Sequence, residues 1–282
     1  MDNNKAVLIT GCSSGIGLCT AQQLKKRGYQ VFASARKSED VERLKSLGLD
    51  SLQLDLNDSV SIKNAVIRLL DKTDGKLYAL FNNGAYGLPG AVEDLSREAL
   101  RAQFETNVFG TMELTNLLLP VMRKQGHGRI IQNSSILGFA AMPFRGAYNC
   151  SKFALEGLSD TLRQELNGTN IHLSLIEPGP ILSEFRKNSL KMFEKYIDSK
   201  NSIHNESYTS MLNRLHKEGA AAPFTLGPEA VCEKVIHALE AKRPRARYYV
   251  TKPTYIMGYL KRILSTRAMD WVLIRAGGGG KR

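Results

Sequence analysis

Ala6-Val7-Leu8-Ile9-Thr10-Gly11-Cys12-Ser13-Ser14-Gly15-Ile16-Gly17 is the stretch on which the fold turns. Its first four residues form an apolar run without alternation, as in a strand covered on both faces. The run passes straight into glycines at 11, 15 and 17 and then into a helical segment over about 15–27. Glycines at this spacing permit a tight turn, close approach of backbone to a pyrophosphate, and close helix–sheet packing. The helix start adds free N–H groups and a positive dipole end for phosphate. A glycine triplet alone is equally a plain strand-to-helix turn. Its place after the first strand of a βαβ unit makes Gly11, Ser13, Ser14, Gly15, Ile16 and Gly17 the expected dinucleotide-phosphate loop.

The second strand selects the dinucleotide. An acid at its end would grip a ribose 2′-hydroxyl, whereas an arginine accommodates a 2′-phosphate. The chain reads Phe32-Ala33-Ser34-Ala35-Arg36-Lys37, with no acid before Glu39. Arg36 offers a planar fork and Lys37 a second charge, so NADP(H) is the expected cofactor. Asp55, after the third run, is placed to accept from an adenine amino group, with Leu56 beside it. Its neighbours Asn57 and Asp58 suit a loop or helix cap equally well.

Outward from this unit the alternation continues. Apolar runs at Val31–Ala33, Leu52–Leu54, Leu77–Phe81, Arg129–Ile131 and Leu173–Ile176 are separated by helical segments over about 38–47, 58–72, 96–124 and 147–167. In the last, Leu155, Leu158, Leu162 and Leu166 form a helical stripe. Repeated βα units imply an α/β fold, a doubly wound (Rossmann) parallel sheet of about seven strands with right-handed crossovers. Residues 184–228 break the rhythm and read as a helical lid over the strand ends. A helix at 229–241 and a short strand at 246–251 complete the sheet. Residues 1–253 thus read as one catalytic domain and 254–282 as a basic helical arm. Within the arm a helix over 254–274 carries Ile256, Tyr259, Leu260, Ile263 and Leu264 on one face, and the Gly277–Gly280 run with Lys281-Arg282 reads as a frayed end.

With 43% hydrophobic and 23% charged residues, the 282-residue chain has an ordinary globular composition. Four cysteines show no paired or zinc spacing and five histidines no cluster, so no metal is expected and a reduced, cytoplasmic protein is the simplest reading. No secretory leader or spanning segment is read. The net charge is +12, and residues 242–282 hold eleven Lys/Arg against Asp270 alone, so a net +10 lies in this C-terminal segment and +2 in residues 1–241. A dedicated nucleic-acid binder would spread its basic face over the fold, so none is expected. The arm's amphipathic face suits packing on the body or a partner subunit. Peripheral contact with a membrane surface is the less favoured use.

Tyr148 and Lys152 stand four apart on a helical segment and so project from one face. A free tyrosine, with a pKa of about 10, is a poor acid or base near neutrality, and a neighbouring ammonium lowers it by stabilising the phenolate. Such a pair is common by chance. Its weight comes from the ordered set around it: Thr10–Gly17, Asp55, Asn82-Asn83-Gly84-Ala85, Asn107, Ser135, Tyr148-x-x-x-Lys152 and Pro178-Gly179. By these motifs the chain resembles the short-chain dehydrogenase/reductase family over roughly 5–252, with Ser135 thirteen residues before Tyr148 as in that family.

The resemblance implies roles. Ser135 would orient the substrate carbonyl, Tyr148 exchange the proton, Lys152 lower the tyrosine pKa and hold the nicotinamide ribose, and Asn107 hold a water leading to solvent. Asn82 and Gly84 would border the cofactor, Pro178, Gly179 and Ile181 would wrap the nicotinamide, and Ser183 would bond its carboxamide. The order Asn-Asn-Gly-Ala departs from the usual Asn-Asn-Ala-Gly but keeps small residues. The resemblance also implies a homodimer or homotetramer. Within the family, the Cys12–Ser14 loop, Ala35-Arg36, Glu177–Ile181 and Phe224–Val231 look most like bacterial NADP-dependent aldehyde reductases and the 17β-hydroxysteroid and retinol dehydrogenase branch.

The expected substrate pocket is apolar. It draws on Tyr86, Leu137, Met142 and Phe185 beside Ser135, with Leu88, Ile136, Phe139, Phe144, Phe193 and Tyr196 as further candidates divided between pocket and core. That lining suits an apolar aldehyde, ketone or alcohol. A non-catalytic nucleotide sensor on the same fold would be marked by loss of Ser135, Tyr148 or Lys152, and all three are present.

Overall fold

The structure is a computed structural model that describes residues 5–217, 219–220 and 222–277. Lys281, Arg282 and most of the glycine run lie outside the described residues.

Seven parallel strands run in the order β3-β2-β1-β4-β5-β6-β7. They are β1 (Ala6–Ile9), β2 (Gln30–Ala35), β3 (Asp50–Gln53), β4 (Ala79–Asn82), β5 (Gly128–Asn133), β6 (Ile171–Glu177) and β7 (Arg247–Tyr249). The chain works outward from β1 to one edge, returns to β4, and works outward to the other. Neighbouring βα connections diverge between β1 and β4, which leaves a crevice beyond the carboxyl ends of those strands.

The apolar runs lack alternation because both faces of the sheet are covered. Val7 and Ile9 pack with Ala21 and Leu24 of α1 (Gly15–Lys26), Val41 and Leu44 of α2 (Ser38–Ser46), and Val231 and Val235 of α9 (Glu229–Glu240). Ala6 and Leu8 point the other way, toward Ile62 and Leu69 of α3 (Ser59–Lys72), Leu114 and Leu118 of α5 (Thr111–Gln125), and Leu162 of α6 (Gly146–Glu165). Of the leucine stripe on α6, Leu155, Leu162 and Leu166 are buried, whereas Leu158 is exposed.

Two helical expectations are corrected. The segment read as one helix over 96–124 is α4 (Arg97–Phe104), a wider π-helical turn over Glu105–Gly110, and then α5. Thr111 Oγ1 donates 3.2 Å to the Thr106 carbonyl within this wide turn, and the turn brings buried Asn107 inward. Gly110 lies against the Leu56 backbone, where a Cβ would come within 1.8 Å of the Leu56 carbonyl oxygen. The arm is likewise two helices, α10 (Lys252–Ile263) and α11 (Thr266–Ala276). Leu264 and Ser265 are extended between them, so Met257 of α10 and Met269 and Leu273 of α11 all fold onto Ile136, Leu137 and Ala140. The face expected to act as a unit is split: Leu260 and Leu264 pack inward, while Ile256, Tyr259 and Ile263 remain exposed.

Residues 184–228 form α7 (Phe185–Tyr196) and α8 (Asn205–His216). Phe193 and Tyr208 pack there against Leu88, Ala91 and Ala147. No described helix is long and apolar enough to cross a membrane.

Candidate active site

The glycine loop sits at the β1/β4 crevice. Gly11 and Gly15 have φ of +70° and +54°, which other residues rarely adopt. A Cβ on Gly17 would stand 2.3 Å from the Gly11 carbonyl oxygen, so α1 can approach the turn only through glycine. Ser14 begins α1 without a side-chain cap, and the first turn holds no acid. Its N–H groups thus face the space a phosphate would take, and the cradle fits a dinucleotide pyrophosphate.

The loop is tied to β4 by Thr10, whose Oγ1 accepts from Asn83 N at 2.9 Å and Gly84 N at 2.8 Å. Asn83 Nδ2 donates back to the carbonyls of Thr10 (2.9 Å) and Gly11 (3.1 Å), and its Oδ1 accepts from Asn133 Nδ2. Asn82, expected to border the cofactor, closes β4 beside the loop. Its side chain lies within the core, donating 2.9 Å to Thr115 Oγ1, because the last residue of β4 alternates toward the α5 side. Asn83, one residue on, is the side chain that holds the loop. Leu56 is a core residue whose Cδ1 would lie 3.2 Å from a Cβ on Gly84.

Arg36 follows β2 and is exposed, while Lys37 Nζ is paired with Glu39 at 2.9 Å. A cation unmarked by the sequence stands nearby: Arg43 on α2 donates to the Ser13 carbonyl and pairs with Asp40 at 2.9 Å. Asp55 Oδ1 accepts from Asn57 N at 2.9 Å, a local turn, which leaves the carboxylate at the expected strand end. Both readings of Asp55 are thus compatible with its position. Pro178 anchors the far side through Ile136 N–H···O at 2.8 Å. Gly179 lies against Thr251, Ile181 bridges to Leu226, and Ser183 reaches Gly15, its Oγ accepting from Phe185 N at 3.4 Å.

Ser135, Tyr148 and Lys152 converge at the carboxyl end of β5. Ser135 Oγ accepts from Leu137 N at 3.1 Å, which fixes the turn Ile136–Gly138. Burial pushes the Tyr148 hydroxyl up to about 12, and the nearby Ser135 hydroxyl opposes that rise. Lys152 is 2% exposed. Its Nζ donates 2.7 Å to the Asn133 carbonyl and stands 5.7 Å from the Tyr148 ring centroid. Burial lowers its pKa to about 8, with Glu156 acting the other way. Ser134, one residue before Ser135, is instead buried beside Glu156 and Gly138.

Asn107 is used structurally. Its Nδ2 donates to the Tyr86 carbonyl (2.9 Å) and Ser151 Oγ (3.1 Å), and its Oδ1 accepts from Tyr86 N (3.1 Å). Phe185 meets the Tyr148 ring edge-on at 5.3 Å and fills the space left by Gly87. Leu137, Met142 and Tyr86 surround this centre, all at least half-buried. Of the further pocket candidates, Leu88 and Phe193 are core residues beneath the lid and Phe144 packs on His204 and Tyr208.

Behind Lys152 lies a charge cluster that the sequence left unmarked. Arg247 of β7 bridges Glu156, Glu177 (2.5 Å) and Asp160 (2.5 Å). Burial and the nearby Glu156 carboxylate raise the Glu177 pKa. No metal-holding group of three His, Cys, Asp or Glu occurs among the described residues.

Comparison with known proteins matches this arrangement. Residues 5–193 match the family described as short chain dehydrogenase. The uncharacterized oxidoreductase YbbO of Escherichia coli (strain K12) is 44% identical over 269 residues, covering 95% of this chain and 94% of that protein. Human 17-beta-hydroxysteroid dehydrogenase type 1 is 36% identical over 262 residues, covering 87% and 77%. A short chain dehydrogenase/reductase from Burkholderia phymatum in complex with NAD superposes with a TM-score of 0.76 at 22% identity, over 92% of both chains. With that sheet, that loop and that Ser–Tyr–Lys arrangement, the chain belongs to the short-chain dehydrogenase family of nicotinamide-dinucleotide oxidoreductases.

Proposed function

We propose that this protein is an NADPH-dependent carbonyl reductase for apolar aldehydes or ketones, steroid- and retinoid-like compounds among them, working in reverse on the matching alcohols. The observation that carries this reading is the Lys152 ammonium, held by the Asn133 carbonyl at 5.7 Å from the Tyr148 ring centroid, with Ser135 at the adjoining end of β5. When bound, NADPH supplies the hydride to the carbonyl carbon, and the overall change is carbonyl, NADPH and a proton to alcohol and NADP⁺.

The chain's own residues handle the oxygen. Ser135 orients it by donating its hydroxyl hydrogen. Tyr148, kept protonated by burial, passes its proton to that oxygen as negative charge develops there. Lys152 then stabilises the phenolate left behind, and Asn133 holds the ammonium in place. Asn107 acts as a positioning residue: it grips the Tyr86 backbone and Ser151 on the pocket side of the site. Phe185 covers the tyrosine from the lid and limits water at the proton transfer.

Arg36, with Arg43 behind it and Lys37 partly neutralised by Glu39, supports the 2′-phosphate-bearing cofactor. The apolar lining, and a relative whose name is a steroid dehydrogenase, support the substrate class. The test is cofactor consumption against aldehydes and ketones of graded size, with NADPH and NADH in parallel. Turnover should rise with apolar size and favour NADPH. A preference for NADH, or for charged metabolites, would overturn the reading.

A further inference from the structure

The arm presents two apolar faces, and the body uses only one. Met257, Leu260 and Leu264 with Met269 and Leu273 close over Ile136–Ala140. On the opposite side of α10, Ile256 is 51%, Tyr259 65% and Ile263 75% exposed. Their spacing of three and four residues puts them on one stripe. On α11, Trp271 is 58% exposed and Ile274 follows three residues later, also exposed. The break between the helices opens a shallow groove of about 550 Å³ lined by Leu264, Ser265, Arg267, Ala268, Trp271 and Val272.

Exposed cations flank this surface. Arg267 lines the groove, Arg275 stacks on Trp271 and Lys252 is exposed at the start of α10, against Asp270 as the one acid of α10 and α11, whereas Arg262 lines a separate groove with Glu177 and Tyr249. The Arg275 guanidinium lies 3.7 Å from the Trp271 ring centroid, and Lys252 lies 5.6 Å from the ring of exposed Phe224. We infer that the outer face of α10 and α11 docks the protein on an anionic lipid surface.

Charge and composition together select this partner. A second copy placed by two-fold symmetry would set this basic face near itself, like charge toward like. A nucleic acid would pair with the cations but leave Ile256, Ile263 and Trp271 in water. An anionic membrane satisfies both: aliphatic side chains enter the acyl boundary, Trp and Tyr rings sit at headgroup depth, and Lys/Arg meet lipid phosphates. The inner face of the same helices lies on the Ile136–Met142 wall beside Tyr148. Docking therefore brings the substrate side of the site near the bilayer, which, on the proposed function, is the source of an apolar carbonyl.

The experiment is sedimentation of the full chain with vesicles of phosphatidylcholine alone or mixed with phosphatidylglycerol, at low and high salt. Two variants accompany it, Ile256→Ser/Tyr259→Ser/Ile263→Ser and Arg267→Glu/Arg275→Glu, each checked for self-association by sedimentation velocity. Wild type should bind the mixed vesicles at least about tenfold more tightly than phosphatidylcholine alone, lose that margin at high salt, and lose it in either variant. Equal partition to both vesicles, or none, overturns the inference. So does a variant that binds like wild type, self-association abolished by the first variant, or tighter binding to duplex DNA than to the vesicles. The readout is pelleting rather than turnover. Failure of the reductase assay with a water-soluble aldehyde therefore bears on the proposed function alone.

Discussion

The Lys152 ammonium lies 5.7 Å from the Tyr148 ring centroid, one helical turn away on α6. Lys152 donates to the Asn133 carbonyl and makes no direct ion pair, so its ammonium is held beside the tyrosine with Glu156 as a nearby charge.

Burial of this ammonium sets a pH dependence of stability. Its folded pKa, about 8, lies below the ordinary lysine value of 10.5. Between those values the unfolded chain binds more protons than the folded one, so this group's contribution rises with pH across that window. Its cost is fully present below about pH 8 and vanishes above 10.5. Lys152→Met should therefore stabilise the cofactor-free protein near neutrality by up to about 3 kcal/mol, the order implied by a shift of this size. Urea midpoints should show the gap to wild type closing as pH rises from 8 to 10. A gap constant with pH would contradict this assignment.

Arg36 should control cofactor choice. A charge-assisted bond to a phosphate is worth about 1.5–3 kcal/mol, so Arg36→Ala should raise KM for NADPH by roughly tenfold or more and leave KM for NADH nearly unchanged. Lys37→Ala should do less, because Glu39 already neutralises it. Steady-state kinetics with both cofactors decides the point.

Arg247 pairs with three carboxylates, of which Glu177 is fully buried and Glu156 nearly so. Arg247→Met should cost about 3–5 kcal/mol near pH 8, as expected for an uncompensated buried charge. Because the Glu177 pKa is raised, the loss should shrink toward pH 5 as the carboxyls take up protons. Thermal melts across that range would show it. A loss that grows on acidification would count against the cluster's role.

Phe185 is the lid residue touching Tyr148. Phe185→Ala should lower kcat/KM for large apolar substrates by up to about tenfold, the order of an aromatic contact, and affect short aldehydes much less. Equal losses for both would place Phe185 in the fold rather than the pocket.

The strands were legible because a doubly covered sheet gives continuous apolar runs, and the Ser135–Tyr148–Lys152 spacing was legible because two of its members share a helix. Long-range geometry was not. Which of the adjacent amides Asn82 and Asn83 ties the loop is set by the strand's register, which no local pattern shows. Arg43 meets Ser13 across 30 positions and Arg247 meets Glu177 across 70, separations that no local pattern signals. The π-helical turn at Asn107 sits inside an unbroken helical pattern. The break at Leu264-Ser265 carries no glycine or proline, and it divided a stripe of five arm residues between core and solvent.

On the proposed function, Tyr148 transfers the proton. The most direct test is single-turnover carbonyl reduction by Tyr148→Phe, with NADPH binding measured on the same preparation. NADPH affinity should stay within a few-fold of wild type, and the chemical step should slow by about 10²–10⁴. Reduction at the wild-type rate with the cofactor bound normally would contradict that role.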